Sequence, residues 1–194
     1  MIRAFLAIQP PEEVRAELAC LDLEPQQRPQ QRTPQRPGQR SARQSGWRWV
    51  PQENVHLTVR FLGTISEETF EVLMPEMDRL GRGLSRTKIE IEHVTGFPVE
   101  RPTVIAAAIA PTRKLTRLAE RVETMVTGIG LEAESRPFRP HITIARLKRS
   151  GYAMANLHVA LRLSFTAREL VLFKSERGRD GARYIRVHST RLGM

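Results

Sequence analysis

Cysteine, aromatic residues and long apolar runs are all scarce in this sequence, and each shortage removes a class of protein. The single cysteine, Cys20, excludes an intramolecular disulfide framework and a cysteine-built metal site. A reducing compartment, the cytoplasm, is therefore the expected location. No apolar stretch approaches the roughly 20 residues that a membrane-spanning helix requires, so no membrane partner is expected. The first apolar run, Ile2 to Ile8, stops at Pro10 and Pro11 without a small-residue cleavage site and reads as a strand rather than a secretion signal. Acidic residues are also in deficit: 21 Asp plus Glu face 31 Lys plus Arg, for a formal net charge of +10. That balance favours polyanions such as RNA, but a solvated arginine-rich surface gives the same number, so charge alone assigns no activity.

Between Glu24 and Gly46 hydrophobicity runs out as well. The stretch is built of Gln, Arg and Pro, with Ala42 its only aliphatic residue and no aromatic. It cannot supply a face to a core and reads as a disordered surface insertion. Its arginines (Arg28, Arg32, Arg36, Arg40, Arg43) form either a loose basic arm for nucleic acid or a solvated linker without a role.

Elsewhere, with 40% hydrophobic residues over 194, the chain has apolar surface enough for a core. Strand-like and helix-like segments alternate. Ile2–Ile8 is followed by a helical pattern over Pro10–Leu23, with Val14, Leu18 and Leu21 on one face. Val55–Leu62 reads as a strand. Ser66 is placed to cap a helix carrying Phe70, Leu73, Met77 and Leu80, which Pro75 should kink or shorten. Lys88–Val94 and Thr103–Ile109 are further strands, and Thr112–Ile129 is an amphipathic helix with Leu115, Leu118, Val122, Val126 and Ile129 on one face. Ile142–Leu147, Leu163–Lys174 and Arg183–Ser189 complete the strands, with a hairpin turn between Gly178 and Gly181.

Two of these segments resemble each other. AFLAIQPPEEVRAELA near the start and VIAAAIAPTRKLTRLA in the second half are each a strand, a proline and a helix, and each leads to a His-x-Thr motif. The chain therefore reads as one domain, residues 1–194, made of two duplicated lobes.

The motifs are His56-Leu57-Thr58-Val59 and His141-Ile142-Thr143-Ile144. Period two puts His56, Thr58 and Arg60 on one strand face and Leu57, Val59 and Phe61 on the other; His141 and Thr143 likewise lie opposite Ile142 and Ile144. Each strand thus presents an imidazole with a hydroxyl. If an approximate two-fold relates the lobes, two histidines and two threonines meet around one small anion. A neutral imidazole can take a proton from water there, an imidazolium can protonate a leaving oxygen, and the hydroxyls can donate to phosphate oxygens. Neither histidine belongs to a short ligand-spaced cluster and neither motif contains a carboxylate, so no metal and no cofactor are expected. His93, His158 and His188 lack the threonine and the repeat context and read as ordinary strand or surface histidines.

These paired motifs, together with HLTVRFLG from His56 to Gly63, Gly96-Phe97-Pro98 and RPFRPHITIAR from Arg136 to Arg146, resemble the RNA 2′,3′-cyclic phosphodiesterases of the 2H phosphoesterase superfamily, historically called 2′-5′ RNA ligases. The resemblance covers nearly the whole chain. It implies an α+β fold of two pseudo-symmetric lobes, with antiparallel sheets lining a central cleft and helices outside. It also implies hydrolysis of an RNA-terminal 2′,3′-cyclic phosphate to a 2′-phosphomonoester, with 2′-5′ ligation as the reverse-type reaction. In that reading His56 is the proton donor and His141 the proton acceptor, while Thr58, Thr143 and Arg146 hold the phosphate. The expected partner is RNA with a cyclic phosphate end, and a monomer is expected. Strict strand parity would turn Arg146 away from His141, so its role requires a bulge. Phe97 and Phe138 are candidates for stacking on a base or for core packing. The alternatives are a phosphodiesterase acting on small cyclic nucleotides or 2′-5′ oligonucleotides, and a non-catalytic RNA-binding module.

Overall fold

The computed structural model describes residues 1–21, 23, 47–147, 157–178 and 181–193. The Gln/Arg/Pro insertion, 24–46, and its arginines lie outside the described residues.

Strand β1 (Ile2–Ile8) leads into helix α1 (Glu12–Ala19), which stops well short of Leu23. Leu18 is its buried anchor, and Leu21 packs on the core from beyond the helix end. Strand β2 (Trp47–Trp49) and a single 3-10 turn (Gln52–Asn54) precede β3 (Leu57–Ile65). Helix α2 (Glu67–Arg82) begins where Ser66 Oγ accepts the Thr69 amide at 3.1 Å, as the sequence predicts. It runs on through Pro75 without being shortened, because Phe70, Leu73, Met77 and Leu80 are all buried and tertiary packing outweighs the one lost backbone bond.

Strands β4 (Thr87–Phe97) and β5 (Val104–Ile109) follow, then α3 (Arg113–Gly128), capped by Thr112 Oγ1 on the Leu115 amide. Leu115, Leu118, Val122 and Val126 form its buried face. The remaining strands are β6 (His141–Leu147), β7 (His158–Ala167), β8 (Glu169–Gly178) and β9 (Gly181–Arg191). Gly178 and Gly181 close the β8–β9 ladder against each other.

Among the described residues all strand pairings are antiparallel, and the sheet runs β7-β4-β5-β6-β3-β1-β8-β9, with β2 added beside β6. The fold is therefore α+β, with the order of strands symmetric about the β6–β3 seam. On one side β6, β5, β4 and β7 follow one another; on the other stand β3, β1, β8 and β9. The halves exchange strands. β4 follows the first repeat in sequence but pairs with β5 of the second, and β8 follows the second repeat but pairs with β1 of the first. Only Leu57 and Ile142, one residue after each motif histidine, pair across the seam.

One expected strand, Leu163–Lys174, is two. The break is the single residue Arg168, whose carbonyl accepts the Leu192 amide at 2.8 Å. No turn residue marks it, because the chain does not reverse into a hairpin there; β7 pairs with β4 at one end of the path and β8 with β1 near the other. Strands six places apart in a flat sheet would be about 29 Å apart at ~4.8 Å per step, whereas two peptide units span at most about 7 Å. The sheet must curl until the end of β7 reaches the start of β8 at Arg168, and this bends it into a half-barrel.

Candidate active site

The seam sets the two histidine strands side by side, and a matched pair of bulges aims their side chains. On β3, Thr58 stands opposite Ala7 but Arg60 opposite Leu6, so Val59 is an extra residue. On β6, Thr143 stands opposite Ala106 but Ala145 opposite Ile105, so Ile144 is the extra residue. Each bulge falls immediately after the motif threonine, and each resets the parity of everything beyond it. Ile144 and Ala145 are consequently buried in succession, and Arg146 returns to the face of His141 and Thr143. The bulge that Arg146 needed is present.

The same displacement corrects the expected faces on β3. Arg60 leaves the face of His56 and Thr58: its Nε donates to Glu123 Oε2 of α3 at 2.5 Å, and its guanidinium also reaches the carbonyls of Phe61 and Glu132. Phe61 takes the place beside the histidine instead, 54% exposed at the mouth of the cleft. Counting from the bulges, Phe61 and Arg146 are equivalent positions. One half of the cleft offers an aromatic ring where the other offers a guanidinium.

His56, Thr58, His141, Thr143 and Arg146 all line one cleft of about 140 Å³, together with Asn54, Phe61, Trp49 and Tyr184. The histidines are held alike. His56 Nδ1 donates to the Asn54 carbonyl at 2.6 Å, and His141 Nδ1 donates to the Arg139 carbonyl at 2.8 Å. A carbonyl only accepts, so each bond places the proton on Nδ1 and leaves Nε2 as the atom available for chemistry. Asn54 is itself tied down, its Nδ2 donating to the Ala182 carbonyl of β9 at 2.8 Å.

Rings back both imidazoles. Phe5 lies 4.8 Å from His56 and Tyr184 meets it edge-on at 5.2 Å, while Phe97 stacks on His141 at 4.0 Å. Burial among these rings pushes the His56 pKa down to about 4, against the Asn54 carbonyl, which favours the imidazolium; the positive Arg146 and His141 lower it further. Burial also lowers His141, opposed by the Arg139 carbonyl. Both histidines are therefore neutral at neutral pH.

A second cavity, of about 560 Å³, opens from the first and shares Thr58, Phe61 and His141 with it. Phe97, Pro98, Pro137 and Phe138 form its apolar wall, so both aromatic candidates from the sequence border the site. The other histidines do not. His93 and His158 pack together across β4 and β7 with ring centres 4.5 Å apart, and His188 contacts Asp78 of α2 at 2.9 Å. Neither Asn54 nor Phe61 was singled out as a site residue by its sequence context, and Tyr184 was marked only by the family resemblance of the tail from Leu170 to Val187. Asn54 sits in a one-turn connector, Phe61 is turned inward only by the bulge, and Tyr184 comes from the far end of the chain. Among the described residues no cluster of three or more His, Cys, Asp or Glu is placed to hold a metal, and no carboxylate lines the cleft.

A sequence profile of the 2′-5′ RNA ligase superfamily matches residues 25–179. Curated relatives include the RNA 2′,3′-cyclic phosphodiesterase of Aeropyrum pernix, 33% identical over 51% of this chain and 56% of the relative. That of Thermus thermophilus is 33% identical over 76% of this chain and 69% of the relative, and that of Methanocaldococcus jannaschii is 26% identical over 76% and 72%. The chain thus spans little more than half the length of the first of these. Among solved structures, that of TT0787 of Thermus thermophilus superposes with a TM-score of 0.78 at 27% identity, covering 98% of each chain. Escherichia coli LigT complexed with 3′-AMP superposes with a TM-score of 0.75 at 23% identity, covering 100% of this chain and 99% of that one, and shares the fold.

Proposed function

The chain belongs to the 2′-5′ RNA ligase superfamily, and from that premise we propose that it is a hydrolase that opens RNA-terminal 2′,3′-cyclic phosphates to 2′-phosphomonoesters. The observation that carries this reading is the pair of histidines, each fixed at Nδ1 by the carbonyl two residues before it, facing one cleft with two threonines and an arginine. The arrangement suits in-line displacement at a single phosphorus, which needs a proton acceptor on one side and a proton donor on the other.

His141 Nε2 takes a proton from the attacking water as its oxygen bonds to phosphorus. The P–O3′ bond breaks, and His56 Nε2 gives its proton to O3′, leaving the phosphate on O2′. Thr58 and Thr143 donate to the non-bridging oxygens, and the Arg146 guanidinium carries their growing charge. His56 must be protonated for this. The substrate phosphate supplies the means, since its negative charge offsets Arg146 and favours the imidazolium that burial disfavours. A ribose 5′-hydroxyl in place of water would form a 2′-5′ linkage by the same proton movements. The terminal nucleoside enters the second cavity, where Phe97, Phe138 and Phe61 offer ring faces to a base. With imidazoles and hydroxyls but no carboxylate at the cleft, the reaction is a proton-transfer one that requires no metal, and the single Cys20 suits a reducing cytoplasm.

The test is turnover of a short oligoribonucleotide ending in a 2′,3′-cyclic phosphate, in EDTA, with 2′- and 3′-phosphate products separated chromatographically. A 2′-phosphate product is expected, with kcat lower by about 10²- to 10⁴-fold in each of His56→Ala and His141→Ala while both variants melt as wild type. Retained turnover in either folded variant, a 3′-phosphate product, or inhibition by EDTA would each overturn a stated part of the mechanism.

A further inference from the structure

The two histidines are held alike, but the carbonyls that hold them are supported differently. His56 leans on the Asn54 carbonyl, which a one-turn connector and a bond to β9 keep in place. His141 leans on the Arg139 carbonyl, in the stretch 129–140 between α3 and β6, which is neither helix nor strand. Chain without regular structure has many conformations open to it, and an imidazole aimed by one of its carbonyls is only as fixed as the chain that carries it.

The Arg60–Glu123 pair fastens this connector from two sides. The bulge at Val59 turns Arg60 out of the cleft toward α3, where its side chain is 11% exposed and its Nε donates to Glu123 Oε2 at 2.5 Å. Each partner then turns a second group to the connector. Arg60 Nη2 donates to the Glu132 carbonyl, and Glu123 Oε1 accepts the Glu134 amide at 2.9 Å. A pair that only joined β3 to α3 would need neither bond. Glu134 in turn grips Arg136 through both carboxylate oxygens at 2.9 Å. From there Pro137 and Pro140 stiffen the chain, and Arg139, as the residue before a proline, has a restricted backbone and so a restricted carbonyl direction. The Pro140 carbonyl is itself tied to the Ile109 amide at 3.3 Å. The path from Arg60 to His141 is therefore continuous in hydrogen bonds and stiff chain.

We propose that Arg60 and Glu123 are positioning residues for His141: they fix the connector so that the Arg139 carbonyl keeps the proton on His141 Nδ1 and leaves Nε2 aimed into the cleft. That His141 Nε2 then accepts a proton from water rests on the hydrolase reading; the positioning does not. Arginine suits the place because its fork meets a carboxylate and two carbonyls at once, which a single ammonium cannot do in the same geometry.

The experiment reads the two imidazoles separately, by nitrogen NMR of labelled protein above neutral pH, each signal identified by its loss in His56→Ala or His141→Ala. Wild type is compared with Arg60→Gln, Glu123→Gln and Arg60→Lys, and kcat on a nucleoside 2′,3′-cyclic phosphate is measured alongside. Wild type should carry the proton on Nδ1 in both rings. In Arg60→Gln and in Glu123→Gln, His141 should become a mixture of tautomers while His56 keeps its one, and kcat should fall by about 10- to 100-fold. Arg60→Lys, which keeps the ion pair without the fork, should recover part of both. Where Arg60→Gln does not fold, Arg60→Met combined with Glu123→Met leaves no charge unpaired and carries the same expectation. Unaltered His141 signals in a folded variant, equal changes at both histidines, or a tautomer change that leaves kcat unmoved would each overturn the proposal, as would a wild-type His141 protonated on Nε2. Should wild type turn over no cyclic phosphate, the hydrolase reading falls by itself, and the imidazole signals still decide the role of Arg60.

Discussion

At the scale of the residue, the sequence marked the two histidines as candidates because each repeats with its threonine in a duplicated context, and the structure brings both to one cleft. Their electrostatic state was not legible in the sequence, since it is set by rings and charges brought from elsewhere in the chain. Phe5, Phe173 and Tyr184 surround His56 from β1, β8 and β9, and this burial holds its pKa near 4. The consequence for kinetics is specific. Under the proposed two-histidine mechanism, the free enzyme loses its base as pH falls through the lower histidine value and its acid as pH rises through the higher one. Both values lie below 6.5, so kcat/KM should be bell-shaped with its top on the acid side of pH 6.5. The kcat profile, which reports the phosphate-bound enzyme, should lie at higher pH. A kcat/KM maximum above pH 7 would contradict the assignment. Asn54 acts through His56 as a positioning residue, its carbonyl holding Nδ1 while its side chain holds β9. Asn54→Ala should cost about 0.5–1.5 kcal/mol in urea unfolding by removing the hydrogen bond to the Ala182 carbonyl, and it should shift the acid limb of the pH profile.

At the scale of the element, helices were read well where an apolar stripe met a cap. Ser66 accepts the amide three residues on, as its place in the sequence implies, and Thr112, counted as the first helical residue from the sequence, caps α3 in the same way. Ser66→Ala should lower stability by about 1 kcal/mol. Leu118→Ala, on the fully buried face of α3, should cost about 2–5 kcal/mol; both are measurable by denaturant titration, and reversal of that order would mean that α3 packs more loosely than its burial indicates. Strands were read less well. Arg60 and Phe61 exchange their expected faces, and Leu163–Lys174 divides at Arg168, although nothing in either local sequence departs from a strand pattern. A bulge is an excess of one residue relative to a partner, so it exists only once the partner strand is in register.

At the scale of the whole molecule, the exchange of β4 and β8 between halves and the closure at Arg168 make the site depend on the entire sheet. Acid should therefore act on fold and site together. His56 binds a proton in the unfolded chain below pH 6.5 but in the folded one only below about 4, so folded stability is fully present above pH 6.5 and falls as pH drops between these values; His141 acts in the same direction. Melting temperature should decline from pH 7 to pH 4.5, and the decline should be smaller in His56→Gln; an equal decline would assign the acid sensitivity to other groups. The sequence by itself determined the duplicated strand–helix units, both His-x-Thr motifs and the basic balance, because these are properties of residue order, period and composition. Only the tertiary structure decided that the two motifs share a seam, that paired bulges bring Arg146 and Phe61 into the cleft, and that Arg60 meets Glu123 beside the connector to His141. Each of those is a relation between segments distant along the chain, fixed by pairing register and the curl of the sheet, and no local pattern encodes it.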